Sequence, residues 1–273
     1  MSDSSGIVSN CPICTGGRSI CFSAKVMQKY EVPYLYCDYC GSLQASSPDW
    51  LEEAYQSAIA DADTGLLDRN YRFARRIAPL LYSLGLQQSR LLDVAGGYGI
   101  FTRLMRDIGF DFYWSDPYCS NIAARGFERE KANPPFAAVT ALEVLEHVPD
   151  PLAFLRTVLS ETQSSTFIFS TLLFQGQPPA LDWWYYVFNT GQHVSFYQAR
   201  TLRVIAESLG LYLYSTADLH MMSKRKLSDV GFRLITGRCS SIWLAYVRRR
   251  MRSRTFSDHE KILRGSPGSN CNR

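Results

Sequence analysis

The sequence predicts an α/β fold with a mostly parallel sheet, preceded by a small cysteine-bearing module and followed by a basic helical tail. Three observations carry this. Leu91-Leu92-Asp93-Val94 is an apolar run ending beside an acid, and Ala95-Gly96-Gly97-Tyr98-Gly99 follows at once. It leads into Ile100, Phe101, Leu104, Met105 and Ile108 at helical spacing, so the stretch reads as strand, tight turn and helix. Thr166 to Leu173 is a nearly unbroken apolar run without alternation, the pattern of a strand buried on both faces. Finally, Cys11-Pro12-Ile13-Cys14 and Cys37-Asp38-Tyr39-Cys40 form two CxxC pairs.

The 273 residues, 46% of them apolar, are enough to bury a substantial core. The net charge of +4 does not call for a nucleic-acid partner. The charge is uneven, however: ten Lys and Arg stand against Asp229 alone between Lys224 and Arg254. No basic segment followed by an apolar one opens the chain, and no run of about 18 apolar residues occurs. The expectation is a cytoplasmic chain without a transmembrane helix. In that setting eight cysteines point to metal ligands or free thiols rather than disulfides.

Residues 1–10 are polar and read as disordered. Residues 11–46 read as a zinc-ribbon-like module, with strands near Ile20-Cys21-Phe22 and Val32 to Tyr36. Each CxxC pair can sit on a tight knuckle, so Cys11, Cys14, Cys37 and Cys40 complete a closed, structural tetrahedral shell for Zn²⁺. The plainer alternative is four unrelated buried cysteines. Cys21 falls outside the pattern and reads as a core thiol. Residues 47–88 form a helical linker. Ser47 is the expected N-cap and Pro48 the first helical residue, with Trp50, Leu51, Ala54, Tyr55, Ala58 and Ile59 on one face. Residues 61–65 break this helix. A second runs from Leu66 to Leu84, with Leu67, Tyr71, Ala74, Ile77, Ala78, Leu81 and Leu84 in a stripe and Arg72, Arg75 and Arg76 on a solvated face.

Residues 89–223 carry the alternation of strands and helices that defines an α/β domain. A strand at 90–95 and a helix at 98–108 lead to Gly109, which stops the helix. Further strands are expected at Phe110 to Trp114, Phe136 to Leu142, Thr166 to Leu173 and Leu211 to Ser215, the last pairing antiparallel with Leu219 to Met222. Helices are expected at Pro151 to Leu159 and Gln198 to Leu209, whereas 119–135 reads as loop. Residues 224–273 form a basic helical tail with a polar end from 264. In such sheets ligands bind beyond the strand C-termini.

The glycine turn has three candidate ligands. There is no GK[ST], so a P-loop is excluded. A dinucleotide fingerprint beginning at Gly97 needs glycine at 102, where the chain has Thr102. S-adenosylmethionine (SAM) remains. Asp93 can bind its ammonium, the glycines let the methionine moiety approach the backbone, and Asp116 can accept the ribose hydroxyls.

Four stretches together, LLDVAGGYG, SDPY, FAAVTALEVLEHVPDPLAFL and QHVSFYQARTLRVIAESLGL, resemble the class I SAM-dependent methyltransferases. The subgroup with an N-terminal CxxC…CxxC module, tied to sugar and polysaccharide biosynthesis, is the most similar. The resemblance covers residues 11–222 and implies a Rossmann-like sheet with helices on both faces. It also implies cofactor contacts from Asp93, Ala95, Gly96, Gly97, Gly99 and Asp116. The family's usual turn is DVGCGxG; here Ala95 and Gly96 replace its glycine and cysteine, and Ala95 fits if its φ is negative.

Methyl transfer from a sulfonium is an in-line displacement that asks for alignment, and for a base when the acceptor is a hydroxyl or activated carbon. The candidate groups are Glu143, Glu146, His147 and His193. Three readings fit them. One histidine acts as general base; or two carboxylates and two imidazoles hold a cation, as the pattern's similarity to Mg²⁺-assisted O-methyltransferases implies; or the acids cap the following helix and His147 packs. Asp182, Trp183, Trp184 and Tyr185 suit a sugar ring, by stacking and by carboxylate–hydroxyl bonds, or else fill the core. The expected function is therefore SAM-dependent methylation of a small polar acceptor, a sugar or activated sugar. The alternatives are metal-assisted O-methylation of RNA or a small molecule, and a non-catalytic zinc-ribbon protein that binds nucleic acid. The basic tail reads as a solvated helix first, a contact to an anionic acceptor (nucleotide or phosphate) second, and a weak contact to a membrane surface or to RNA third.

Overall fold

A computed structural model describes residues 8–55 and 63–265. Its elements in chain order begin with β1 (Ser9–Asn10), β2 (Gly17–Val26), β3 (Tyr30–Tyr36), β4 (Leu43–Ala45), α1 (Leu51–Ala54) and α2 (Leu66–Ser83). Next come β5 (Arg90–Val94), α3 (Ile100–Ile108), β6 (Asp111–Ser115), β7 (Ala138–Ala141), α4 (Pro151–Thr162) and β8 (Thr166–Ser170). The rest are β9 (Ser195–Phe196), α5 (Ala199–Ser208), β10 (Tyr212–Ser215), β11 (Leu219–Ser223), α6 (Asp229–Thr236), α7 (Ser240–Arg250) and α8 (Thr255–Gly265). The expected α/β class holds. The chain divides into two compact units, Met1–Ala62 with Val139–Lys226, and Asp63–Ala138 with Leu227–Arg273.

In the first unit, β1-β2-β3-β4-β9 form an antiparallel sheet. The strand at Ser9–Asn10 pairs with Arg18 and Gly17, so part of the span expected to be disordered is ordered; residues 1–7 lie outside the described residues. The cysteine module does not close its own sheet. Leu43 pairs with Phe196 and Gln44 with Ser195, and Gln44 Nε2 donates to Ser195 Oγ at 3.0 Å. A core of Val26, Val32, Tyr34 and Leu43 on one side and Tyr185, Tyr186, Val194 and Phe196 on the other fastens the two segments together. The unit's other strands run β10-β11-β8-β7 as a mixed sheet, with β7 and β8 parallel and the rest antiparallel. All five residues of β8 are buried, as its unbroken apolar run implies. The helix α4 starts on Asp150, whose Oδ1 accepts from Ala153 N at 2.9 Å, with Pro151 at the first position.

Two expectations about the linker fail. Ser47 is not the N-cap: its φ is +46°, and α1 begins at Leu51 after Trp50. Trp50 instead buries itself and donates Nε1 to Gly191 O at 2.8 Å. The expected continuation through Ala58 and Ile59, and the break at Asp61 and Ala62, lie outside the described residues. Cys21 is exposed rather than a core thiol.

In the second unit β5 and β6 pair in parallel, Arg90 opposite Asp111 and Val94 opposite Ser115. Two expectations about the faces of α2 fail. Leu67 and Tyr71 are exposed, and Arg76, expected on a solvated face, is buried and donates Nε to Thr236 O at 2.8 Å. The basic tail is helical as expected and makes three helices, α6 to α8; residues 266–273 lie outside the described residues. Arg106 anchors this tail. It is 1% exposed, its Nε and Nη2 donate to both oxygens of Asp258 at 2.8 and 2.7 Å, and its Nη1 donates to Asp111 Oδ1 and Phe112 O. The guanidinium also lies 3.6 Å from the centroid of Phe127. A buried pair of this kind is costly to break because one charge is left behind. Arg106→Ala is therefore expected to destabilise the protein by about 3–5 kcal/mol in denaturant unfolding.

Candidate active site

The glycine turn is built from the end of β5 to the start of α3. Asp93, 1% exposed, accepts from Thr102 Oγ1 at 3.2 Å, so the residue standing where a dinucleotide fingerprint has glycine holds the acid. Within five residues Ala95, Gly97 and Gly99 have φ of +52°, +54° and +80°. The condition of a negative φ, under which alanine would sit here without strain, is not met at Ala95. At Gly96 a Cβ would come within 2.7 Å of Asp93 Oδ2 and 2.8 Å of Trp114 Cδ1, so this position tolerates no side chain. Both backbone groups of Gly97 are held: its N–H donates to Asp116 Oδ2 at 2.8 Å, and its carbonyl accepts from Trp114 Nε1 at 2.9 Å. Asp116 Oδ1 accepts from Tyr118 N and Cys119 N, each at 2.8 Å. Gly99 is the N-cap of α3 and offers no side-chain cap, leaving first-turn N–H groups for a ligand.

The titratable cluster lies in the first unit. Glu143, with φ +56°, turns away from it: its Oε1 accepts from Ser170 Oγ at 2.6 Å and its N–H donates to the same hydroxyl at 2.7 Å. Glu146 is fully buried. The Tyr185 hydroxyl donates to its Oε1 at 2.7 Å, whereas its Oε2 is buried without a partner. His147 Nδ1 is likewise buried and unpartnered. His193 Nδ1 lies 2.7 Å from Tyr185 O; because a carbonyl only accepts, Nδ1 carries the hydrogen and the neutral ring keeps its lone pair on Nε2. The two imidazoles meet edge to face, 4.7 Å between centroids. One donor atom from each of Glu146, His147 and His193 lies within 4.8 Å of the others; Glu143 is not among them. The arrangement is electrostatically tuned toward neutrality. Burial, with the Glu143 charge adding to it, pushes the Glu146 carboxyl up to about 8. Burial and the neighbouring His193 hold His147 well below its ordinary value.

The cysteines form two matching knuckles. Cys11 O accepts from Thr15 N at 2.9 Å and Cys37 O from Gly41 N at 2.7 Å, while Cys11 N and Cys37 N donate to Gly16 O and Ser42 O. The left-handed φ of Thr15 and Gly41, +63° and +75°, closes each turn. The four sulfurs lie within 4.8 Å of one another, with Cys11–Cys40 at 3.7 Å and Cys14–Cys37 at 3.5 Å. A tetrahedral zinc with bonds of about 2.3 Å sets sulfur–sulfur edges of roughly 3.8 Å, so these residues fit the ion.

The aromatic insertion divides. Tyr185 and Tyr186 are core residues, 3% and 1% exposed, so Tyr185 leaves the proposed sugar-contacting set. Trp183 packs edge to face on Tyr186, Trp184 is 72% exposed, and Asp182 is exposed. Sequence reasoning missed Tyr185 as a partner of Glu146, Ser170 as a partner of Glu143, and Trp114 as a clamp on the turn. None of these pairings leaves a signal at fixed spacing.

A family model described as a methyltransferase domain matches residues 66–216. Among solved structures, magnesium protoporphyrin IX methyltransferase from Synechocystis with bound SAH is 16% identical, with 64% of this chain and 91% of that one covered and a TM-score of 0.42. TnmH is 16% identical, with 64% and 61% covered and a TM-score of 0.47. An O-methyltransferase family 2 protein from Planctomyces limnophilus in complex with apigenin is 16% identical, with 63% and 66% covered and a TM-score of 0.40. No curated protein sequence matches.

The left-handed Ala95 carries a Cβ penalty that glycine lacks. Ala95→Gly is expected to raise stability by about 1 kcal/mol, read as a higher melting temperature.

Proposed function

The chain belongs to the methyltransferase-domain family, whose model spans residues 66–216, and on that premise we propose that it moves the methyl group of SAM to a small polar acceptor, a sugar or activated sugar. That it is a SAM-dependent enzyme follows from the family; the acceptor and the residue roles are our reading. The observation that carries it is the turn from Asp93 to Gly99, with a buried acid, a Gly96 packed too closely on Asp93 and Trp114 to carry a side chain, and a helix start at α3 without a side-chain cap. Asp93 takes the ammonium of SAM, and Ala95, Gly96, Gly97 and Gly99 present backbone to its methionine part. Asp116 already accepts three N–H bonds. It has one lone pair left on Oδ2, enough for one ribose hydroxyl without rearrangement.

In the transfer the sulfonium–methyl bond breaks as the acceptor–methyl bond forms, the thioether product leaves, and the acceptor proton goes to a base. His193 fits that base, because the Tyr185 carbonyl fixes its tautomer and places the lone pair of the neutral ring on Nε2. Tyr185 positions Glu146 and His193 alike. Exposed Asp182 and Trp184, with Trp183 beside them, are the acceptor contacts of this reading.

Two orphaned buried atoms, Glu146 Oε2 and His147 Nδ1, favour a second reading, in which Glu146, His147 and His193 hold a divalent cation. Such an ion supplies Lewis acidity toward an acceptor hydroxyl. Glu143, tied to Ser170, stands outside that ligand set. Cys11, Cys14, Cys37 and Cys40 are assigned to a structural zinc.

Titration calorimetry should show SAM binding that weakens at least about tenfold in Asp93→Ala, the equivalent of about 1.4 kcal/mol; undiminished binding in the variant would refute the cofactor site. An acceptor screen with labelled SAM then identifies the product. Metal analysis is expected to find about one tightly held zinc per chain, lost in Cys37→Ser. Activity that disappears with a mild chelator and returns with Mg²⁺ or Mn²⁺, the zinc content unchanged, selects the cation reading over the base.

A further inference from the structure

In the second unit the helices α2, α6 and α7 pack on one another, and α6 and α7 leave large apolar side chains uncovered. The helix α7 is apolar on two faces. Leu244 and Val247 are buried, while Ile242, Trp243 and Tyr246 are 72%, 45% and 44% exposed. At about 100° per residue these three share one face with Arg249 and Arg250. On α6, Val230 and Leu234 lie one turn apart, 66% and 61% exposed, with Arg233 between them. Exposed apolar groups gathered this way mark an interaction surface rather than scattered surface residues.

The charge on these elements says what the surface meets. Arg233, Arg238, Arg248, Arg249 and Arg250 stand on or between α6 and α7, against Asp229 as the acid of the pair. The Arg250 guanidinium lies 5.4 Å from the Tyr246 ring centroid. A second copy of this face would bring like charges together. A polynucleotide would engage the arginines and leave Ile242, Val230 and Leu234 in water. An anionic bilayer satisfies both halves: aliphatic side chains enter the acyl boundary, Trp and Tyr sit at headgroup depth, and arginines pair with lipid phosphates. No helix among the described residues is long and apolar enough to cross a membrane, so the contact lies on the surface.

We propose that the α6–α7 face docks this protein on an anionic lipid bilayer, its arginines pairing with lipid headgroup phosphates. The proposal does not depend on what the acceptor is.

Sedimentation with phosphatidylglycerol-containing vesicles, against pure phosphatidylcholine vesicles, tests it. The full chain should bind the anionic vesicles at least about tenfold more tightly, a preference that fades as salt screens the arginines. The variant Ile242→Ser/Trp243→Ser/Tyr246→Ser should lose about tenfold or more of that binding through lost apolar burial while retaining its SAM affinity. If the triple variant fails to fold, Trp243→Ser alone carries the test with a smaller loss in the same direction. Arg249→Gln/Arg250→Gln should likewise weaken binding to the anionic vesicles. No preference for anionic vesicles, or wild-type binding in the triple variant, overturns the proposal. So does a dimer that the triple variant disperses, or salt-sensitive RNA binding in place of vesicle binding.

Discussion

The polar chemistry of the first unit hangs on Tyr185. Its ring is fixed in the aromatic core that the cysteine module shares with residues 174–196. Its hydroxyl donates to Glu146 Oε1 at 2.7 Å and its carbonyl takes the Nδ1 hydrogen of His193 at 2.7 Å. One residue thus sets the orientation of two groups that are 47 positions apart in the chain, as their numbers 146 and 193 show. Burial does the rest. With little water to support charge, the carboxyl and the imidazole of His147 both favour their neutral forms. A neutral carboxyl beside a neutral His147 can take part in proton transfer, or offer lone pairs to a cation, without prior loss of solvation.

The second unit applies a different device. The turn is held in an unfavourable backbone conformation by groups that grip the two peptides flanking Gly97, Asp116 at its N–H and Trp114 at its carbonyl. Strain at Ala95 persists because the surrounding contacts over-determine it. Arg106 plays the corresponding role below, spending every arm of its guanidinium on Asp258, Asp111 and a backbone carbonyl, so that the C-terminal helix and β6 share one buried cation.

Much of this was legible in the residues. The strand–turn–helix at 90–108, the unbroken run of β8, the Pro151 helix start and the paired CxxC spacing each obey a local rule, and each local rule was enough. What failed was non-local. Arg76 looks like a surface residue until Thr236 supplies its acceptor. Ser47 looks like an N-cap until the chain bends the other way. Glu143 and Glu146 are three apart and look equivalent, yet Ser170 claims the first and Tyr185 the second. The aromatic run at 183–186 signalled importance but not direction, because stacking on a ligand and packing in a core ask for the same side chains.

The pairing of β4 with β9 has a consequence for synthesis. Gln44 and Ser195 are 151 residues apart, so the edge of β4 has no partner until that much more chain has been made. At about 5–20 residues per second this is roughly 8–30 seconds on the ribosome, long for an unpaired strand edge. The nascent module meets that interval with its own sulfur cluster, whose four ligands are all present by residue 40. Under the zinc assignment proposed above, a chain starved of metal during translation would be most at risk of mispairing in this window, before β9 has been made.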